Sequence, residues 1–337
     1  MSEKLFVIPG GIGAASNVKM VNQLLAGVHI AAASEAMGLA VQMGLNTRRV
    51  YDIIVNSTGN SWMFQDRVPH MLDNDWTPRS ALDIFVKDMV WVVILIELFN
   101  ANGLKGIVTS SARLQGFPVP LSSAAEHLYL SASLHGYGRE DDSGLVRMFT
   151  PQSASAVYDQ AKADILENEL TPTVTPNEIN KVGFIGLGAM GLGMATCLVK
   201  AGFHVNGYDT SPGPIEEFLS YGGKATAADS PEKAARDADV LIVMVQTASQ
   251  VEDVLFGSGN AAEKLPNGAV VILNSTVPPS FTRKLNRRLQ DLGKQLYLVD
   301  APVSGGVTKA ADGLLTVSGS IVFQNFNSPQ TDYLLRS

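Results

Sequence analysis

Lys19, Asn22 and Gln23 lie in the stretch GAASNVKMVNQ (13–23), and positions i, i+3 and i+4 of a helix share one face. An ammonium and two amides on one face suit a small anionic or hydroxylated ligand, although a lone Lys near a helix start is more often a solvated charge. Far along the chain, Asp300-Ala301-Pro302-Val303 runs into Ser304, Gly305 and Gly306, a hydroxyl followed by two glycine amides at the end of an apolar run. Donors of that kind suit a carboxylate. Lys87 stands in a third stretch, DIFVKD (83–88), where an ordinary surface ion pair is the plainer expectation.

The strongest pattern is KVGFIGLGAMGLGMATCLVKAGFHVNGYD (181–209). An apolar run enters Gly186-Leu187-Gly188-Ala189-Met190-Gly191, a helix-forming stretch follows to Lys200, and a second apolar run ends in Asp209. Gly186 permits the tight turn, Gly188 lets the backbone approach a pyrophosphate, and Gly191 allows close helix–strand packing. The helix N-terminus offers free N–H groups and a positive dipole end to phosphates. Asp209 can accept hydrogen bonds from ribose hydroxyls, and its charge repels a 2′-phosphate, which favours NAD over NADP.

These residues need a scaffold. Small and apolar residues recur at helical spacing from 15 to 43, with Gly44 as the stop signal. Further helices are expected over 46–57, 62–73, 80–98, 121–134, 142–149 and 154–169, so the first half reads as all-α, preceded by a strand at 4–8. A linker with two prolines and three threonines covers 168–180. Apolar strands at 240–245, 269–274 and 295–301 then alternate with helical patterns such as 279–292, the rhythm of a doubly wound parallel sheet. The expected organisation is an all-α domain over 1–167, an α/β domain over 181–319, and a tail over 320–337 without fixed structure.

The 337 residues allow two domains with real cores. A net charge of -7 gives no sign of a nucleic-acid-binding face. Cys197 is the only cysteine, which excludes an internal disulfide framework and a cysteine-rich metal site; no metal is expected. The N-terminus shows no basic region followed by a long apolar core, and the most apolar run, 89–96, is broken at Glu97. A protein of the cytoplasm, without a membrane partner, is the expectation.

Together these stretches resemble the β-hydroxyacid dehydrogenase family, over nearly the whole chain from Lys4 to Gly319. NSWMF (60–64), TPRSALDIFVKD (77–88) and GYGREDDS (136–143) bring it nearest to members acting on the four-carbon sugar acid L-threonate. With Asn22-Gln23 it also resembles the dehydrogenase repeats of a plant fusion protein that continues into kinase-like and class II aldolase-like regions.

The resemblance implies an oxidoreductase passing hydride between NAD and a 2- or 3-hydroxy acid. Lys19 would be the catalytic proton relay. Ser304, Gly305 and Gly306 would hold the substrate carboxylate, with Gln23, and Asn22 beside it, where many relatives have a substrate-binding Asn. Gly186, Gly188, Ala189, Met190, Gly191, Asp209, Val245, Gln246, Thr276 and Lys87 would contact the cofactor. Self-association as a homo-oligomer is also implied.

The order departs from the family, whose dinucleotide domain precedes the helical one. A window across two tandem repeats explains this, either as a circular permutant with residues 4–8 completing the sheet, or as two domains each lacking its mate. The linker could reach roughly 35–40 Å if extended. Residues 90–105 read as an insertion relative to relatives.

Overall fold

The computed structural model describes residues 6–89, 107–162 and 179–321. The chain divides into two compact units, 1–165 and 166–337, each considered by itself.

The described part of the first unit is helical. The long helix α1 (Ala14–Gln42) is followed by α2 (Thr47–Val55), α3 (Trp62–Asp73), α4 (Leu82–Met89) and α5 (Ile107–Leu114). Then come α6 (Pro120–Ala132) and α7 (Ala156–Lys162), separated by a π-helical turn at Ser133–Tyr137 and a 3-10 turn at Asp142–Met148. Asn46 and Ser61 cap α2 and α3, each side-chain oxygen accepting from a backbone N–H three residues on, at 3.0 Å.

The buried residues of α1 run from Gly27 to Ala40 and are mostly small. A Cβ on Gly27 would collide with Met89, so the glycine sets how closely α1 and α4 approach. Phe85 stacks on the fully buried Tyr129 at 5.2 Å, and the Tyr129 hydroxyl donates to the Gly27 carbonyl at 2.9 Å. That bond gives the phenol a partner where water cannot reach it.

By length and composition α1, rather than the run at 89–96, is long and apolar enough to cross a bilayer. In this unit Ile30, Ala33 and Met37 of α1 are core residues instead.

An ionic cluster ties the 3-10 turn to α3. Arg67 Nε donates to Asp142 Oδ1 at 2.6 Å, and Asp141 Oδ1 lies 3.1 Å from His70 Nδ1. The other Asp141 oxygen accepts from the Arg79 backbone N–H at 2.9 Å. Burial pushes the Asp142 carboxyl up to about 6, outweighing the adjacent Arg67. Burial also works to raise Asp141, but hydrogen bonds from Ser143 and Arg79, with His70 nearby, hold it below the usual carboxylate range.

The second unit is an α/β sandwich. Strands β1 (Lys181–Ile185), β2 (His204–Tyr208), β3 (Ala225–Ala227), β4 (Val240–Val243), β5 (Val270–Leu273) and β6 (Tyr297–Asp300) form a parallel sheet. A hairpin of β7 (Val303–Ser304) and β8 (Thr316–Val317) follows, and β9 (Ser320–Ile321) adds antiparallel to β6. The order is β3-β2-β1-β4-β5-β6-β9.

Between strands run α8 (Gly191–Lys200), α9 (Pro212–Leu219), α10 (Pro231–Ala235), α11 (Ala248–Phe256), α12 (Ala261–Lys264) and α13 (Pro279–Asp291), with α14 (Gly306–Asp312) inside the hairpin. Strands buried on both faces need no polar alternation. Leu241 and Val243 of β4 pack with α11 and α13 on one face; Val240 and Ile242 pack with Phe184, Leu198 and Phe218 on the other. The strand order reverses between β1 and β4, so a crevice opens at their carboxyl ends.

Several expectations change. Residues 4 and 5 lie outside the described residues, and Phe6, Val7 and Ile8 carry no strand; Phe6 and Val7 are exposed. The place beside β6 is taken by β9, so the tail expected from 320 begins with two residues of strand. The helix expected over 80–98 starts at Leu82 and is described to Met89. The insertion at 90–105, most of the linker and residues 322–337 lie outside the described residues.

Candidate dinucleotide and substrate sites

The glycine turn follows β1. Gly186 has φ +98°, a left-handed conformation open to glycine, and a Cβ there would strike the carbonyl of Met244. A Cβ on Gly191 would collide with the Gly186 carbonyl, so both glycines are demanded by the protein's own backbone. Gly188 differs, because a Cβ there would meet nothing within 4 Å. Its backbone faces open space beside the first turn of α8, where a pyrophosphate would lie. The chain fits that group: Ala189, Met190 and Gly191 lead into a helix N-terminus that no N-cap side chain closes.

Asp209, just past β2, closes the turn. Its Oδ2 accepts from the Leu187 backbone N–H at 2.7 Å and its Oδ1 from the Ser211 N–H at 2.8 Å. Two backbone donors hold the carboxylate in place, and each oxygen keeps a further lone pair.

Val245 and Gln246 follow β4, and Thr276 follows β5. Ser275, which sequence reasoning passed over, is 1% exposed, and its hydroxyl accepts from the Val245 N–H at 2.9 Å. That bond ties the ends of β4 and β5 together and sets the backbone of Val245. Thr276 is exposed beside it. Ser304, Gly305 and Gly306 lie after β6, with Ser304 in the β7 strand and both glycines at positive φ. The candidate residues of this unit thus gather at the carboxyl ends of β1, β2, β4, β5 and β6.

The first unit has a separate cleft of roughly 500 Å³, lined by Lys19, Gln23, Lys87 and Asp88 with Ser16 and Met20 among others. Gln23 Nε2 donates to Asp88 Oδ2 at 2.7 Å, Lys87 Nζ lies 3.0 Å from Asp88 Oδ1, and Asn22 Nδ2 donates to Gln23 Oε1 at 3.2 Å. Lys19 is exposed. Asp88 is 5% exposed. It stands beside Lys87 in the sequence, yet nothing local marks it as the group that Gln23 meets from 65 residues away.

Among the described residues no cluster of His, Cys, Asp or Glu could hold a metal.

A phosphate-cradling glycine turn on a parallel sheet with a switch point defines a dinucleotide-binding domain. Residues 181–323 match the model of the NAD binding domain of 6-phosphogluconate dehydrogenase. Residues 13–103 match the model described as NAD-binding of NADP-dependent 3-hydroxyisobutyrate dehydrogenase. The L-threonate dehydrogenase of Cupriavidus necator is 47% identical over 146 residues, 43% of this chain and 44% of its own length. The Escherichia coli K12 L-threonate dehydrogenase is 44% identical over 147 residues, 44% of this chain and 43% of its own. The mitochondrial 3-hydroxyisobutyrate dehydrogenase of Mus musculus is 36% identical over 149 residues, 44% of this chain and 43% of its own. A solved 3-hydroxyisobutyrate dehydrogenase from Salmonella typhimurium is 36% identical, over 42% of this chain and 47% of its own, with a TM-score of 0.39.

Over these two segments, 13–103 and 181–323, the chain is similar to domains of β-hydroxyacid dehydrogenases. Its second unit carries an NAD(P)-binding domain. The chain spans less than half the length of the curated relatives it matches.

Proposed function

We propose that this protein oxidises a small 2- or 3-hydroxy acid, with a four-carbon sugar acid such as L-threonate as the preferred substrate and NAD as the cofactor. The observation that carries the reading is the cleft where Lys19, Gln23 and Lys87 meet around Asp88, in a chain that also holds a dinucleotide cradle. Two ammonium groups favour an anionic ligand. The identities of 44–47% to L-threonate dehydrogenases support the choice of substrate.

Gly186, Gly188, Ala189, Met190 and Gly191 would hold the pyrophosphate, and Asp209 the adenosine ribose. Val245, Gln246, Thr276 and Lys87 would contact the rest of the dinucleotide. When bound, the cofactor supplies a two-electron acceptor. Ser304 and the amides of Gly305 and Gly306 would bind the substrate carboxylate, Gln23 and Asn22 would orient its hydroxyls, and Lys19, after giving up its own proton to solvent, would take the carbinol proton as the neutral amine and become the ammonium. Asp209 favours NAD because a 2′-phosphate would meet a fixed carboxylate.

The order of the matched segments, 13–103 before 181–323, supports a swapped arrangement relative to the family, with the all-α domain over 1–167, a linker over 168–180 and the α/β domain over 181–319. A homo-oligomer in the cytoplasm, with no nucleic-acid or membrane partner, completes the reading. One further reading rests on the short span of the relatives covered: a dinucleotide-binding module without turnover, part of a larger chain.

Purified protein with NAD and L-threonate decides between them. NADH formation abolished by Lys19→Ala, with NADH binding kept, supports the enzyme. NADH binding without turnover on any of a panel of hydroxy acids supports the silent module. The reaction needs Lys19 and Ser304 on one substrate molecule, and mixing Lys19→Ala with Ser304→Ala protein tells whether one chain or two supply them.

A further inference from the structure

The cleft of the first unit contains a one-way chain of hydrogen bonds. Asn22 Nδ2 donates to Gln23 Oε1 at 3.2 Å, and Gln23 Nε2 donates to Asp88 Oδ2 at 2.7 Å. Asp88 Oδ1 faces the Lys87 ammonium at 3.0 Å. A carboxylate can only accept. With one oxygen on Lys87 and the other on Gln23, it dictates which end of the Gln23 amide turns inward, namely the NH2. The Gln23 oxygen must then face the opposite way. Asp88 is 5% exposed, so water does not compete for its oxygens as it would at the surface. Gln23 itself is only part-buried and lines the cleft.

We propose that Asp88 is a positioning residue that sets the polarity of the Gln23 amide, so that the cleft presents a fixed acceptor which reads a second hydroxyl on the substrate. This rests on the dehydrogenase reading above and adds to it a basis for selecting dihydroxy and trihydroxy acids over alkyl-substituted hydroxy acids. A substrate hydroxyl donates to the second lone pair of Gln23 Oε1, beside the Asn22 NH2; a methyl group in its place leaves that lone pair unfilled. Sites built to hydrogen-bond a hydroxyl discriminate strongly against analogues that lack it.

Substitution logic follows from donor and acceptor counts. Asp88→Asn offers one acceptor and one NH2 in place of two acceptors. Lys87 can face only the oxygen, so the NH2 is left for Gln23, whose amide must flip and turn a donor toward the cleft. Gln23→Glu instead sets two carboxylates against each other. The double variant Gln23→Glu/Asp88→Asn restores a complementary pair with its polarity exchanged, and the atom turned to the cleft is again an acceptor.

The test compares L-threonate with 3-hydroxyisobutyrate in the full chain, for the two single variants and the double variant. Asp88→Asn is expected to raise KM for L-threonate about tenfold. The KM for 3-hydroxyisobutyrate should stay within about twofold, since that substrate makes no second hydroxyl contact, and any change that reaches the cofactor through Lys87 is common to both substrates. The double variant is expected to recover the preference for L-threonate. Equal loss on both substrates, or no recovery of the preference in the double variant, would overturn the proposal.

A second readout does not need turnover. The side-chain NH2 signal of Gln23 in 15N-labelled protein, assigned by its loss in Gln23→Glu, should exchange slowly with solvent and become fast-exchanging in Asp88→Asn. An NH2 signal unchanged by Asp88→Asn overturns the polarity assignment. No turnover by any variant together with the expected change in that signal overturns the dehydrogenase reading, and with it the substrate selection, while the polarity assignment stands.

Discussion

In the glycine turn of the second unit the groups that face a ligand are backbone amides, held by Gly186 and Gly191 against the carbonyls of Met244 and of Gly186 itself. In the cleft of the first unit they are ammonium and amide groups at the ends of long side chains, organised by one buried carboxylate, Asp88. The first arrangement is rigid because its geometry is that of the main chain. The second owes its order to hydrogen bonds that a single atom exchange can reverse. A cradle for an invariant pyrophosphate suits the former, and a reader of variable hydroxy acids suits the latter.

The comparison breaks most sharply at Lys19. If the first unit supplies the chemistry and the second only the grip, Lys19→Ala should lower kcat by about 10²–10⁴-fold, the usual worth of a positioned acid–base group, while NADH affinity stays within twofold. Steady-state assay and NADH fluorescence titration check it. A parallel loss of NADH affinity would mean that the division of labour is false.

Within the glycine turn a pair of variants separates fold from ligand. Gly191→Ala puts a methyl into the Gly186 carbonyl and should destabilise the second unit by about 3 kcal/mol, the upper range for overpacking, seen as a lowered denaturation midpoint. Gly188→Ala meets nothing in the protein, so its midpoint should not move while NADH binding weakens. Equal effects of the two on stability would contradict the assignment of Gly188 to the ligand.

These two sites also differ in how far the chain announces them. The glycine turn occupies six consecutive residues, and the positive φ of Gly186 and the contact of Gly191 with the Gly186 carbonyl are set within them, so its spacing could be read directly. The continuous apolar runs of β4 and β5, and the small-residue spacing of α1, were legible for the same reason. Gln23 and Asp88 meet across 65 residues, a contact with no local signature. Lys87-Asp88 looked like a surface pair because burial of the Asp depends on how α4 packs against α1. The two-residue strand β9 is too short for a period-2 pattern, and the unpaired state of residues 6–8 is a property of the fold rather than of their apolar composition.

Unit-specific pH dependence sharpens the comparison further. Asp142, buried in the first unit and raised to about 6, binds its proton more tightly in the folded chain than in the unfolded one, where 3.8 is the ordinary value. Its contribution is therefore complete below about pH 4 and is lost as pH rises through about 6, on the order of 2–3 kcal/mol. Urea denaturation between pH 4 and 7 should show the transition of the first unit weakening with rising pH, and Asp142→Asn should flatten that slope. Asp141, held low, acts in the opposite sense and only below pH 4, so the two neighbours are separable by window.

The smallest effect is expected at Asp209, where the second unit relies on a side chain as the first does. Its two oxygens are already fixed by the N–H groups of Leu187 and Ser211, so Asp209→Asn can keep at most one of these bonds and sets its NH2 against the other donor. Removing the charge should narrow the preference for NAD over NADP by about tenfold, roughly the 1.4 kcal/mol expected of one charge-assisted contact. Comparison of the NADH and NADPH dissociation constants measures it. Because the same carboxylate also anchors the Leu187 amide inside the turn, NADH binding itself should weaken a few-fold, which Lys19→Ala in the first unit is not expected to do. An unchanged cofactor ratio with weakened NADH binding would assign Asp209 to holding the turn alone, and would leave nucleotide choice to groups beyond the glycine motif.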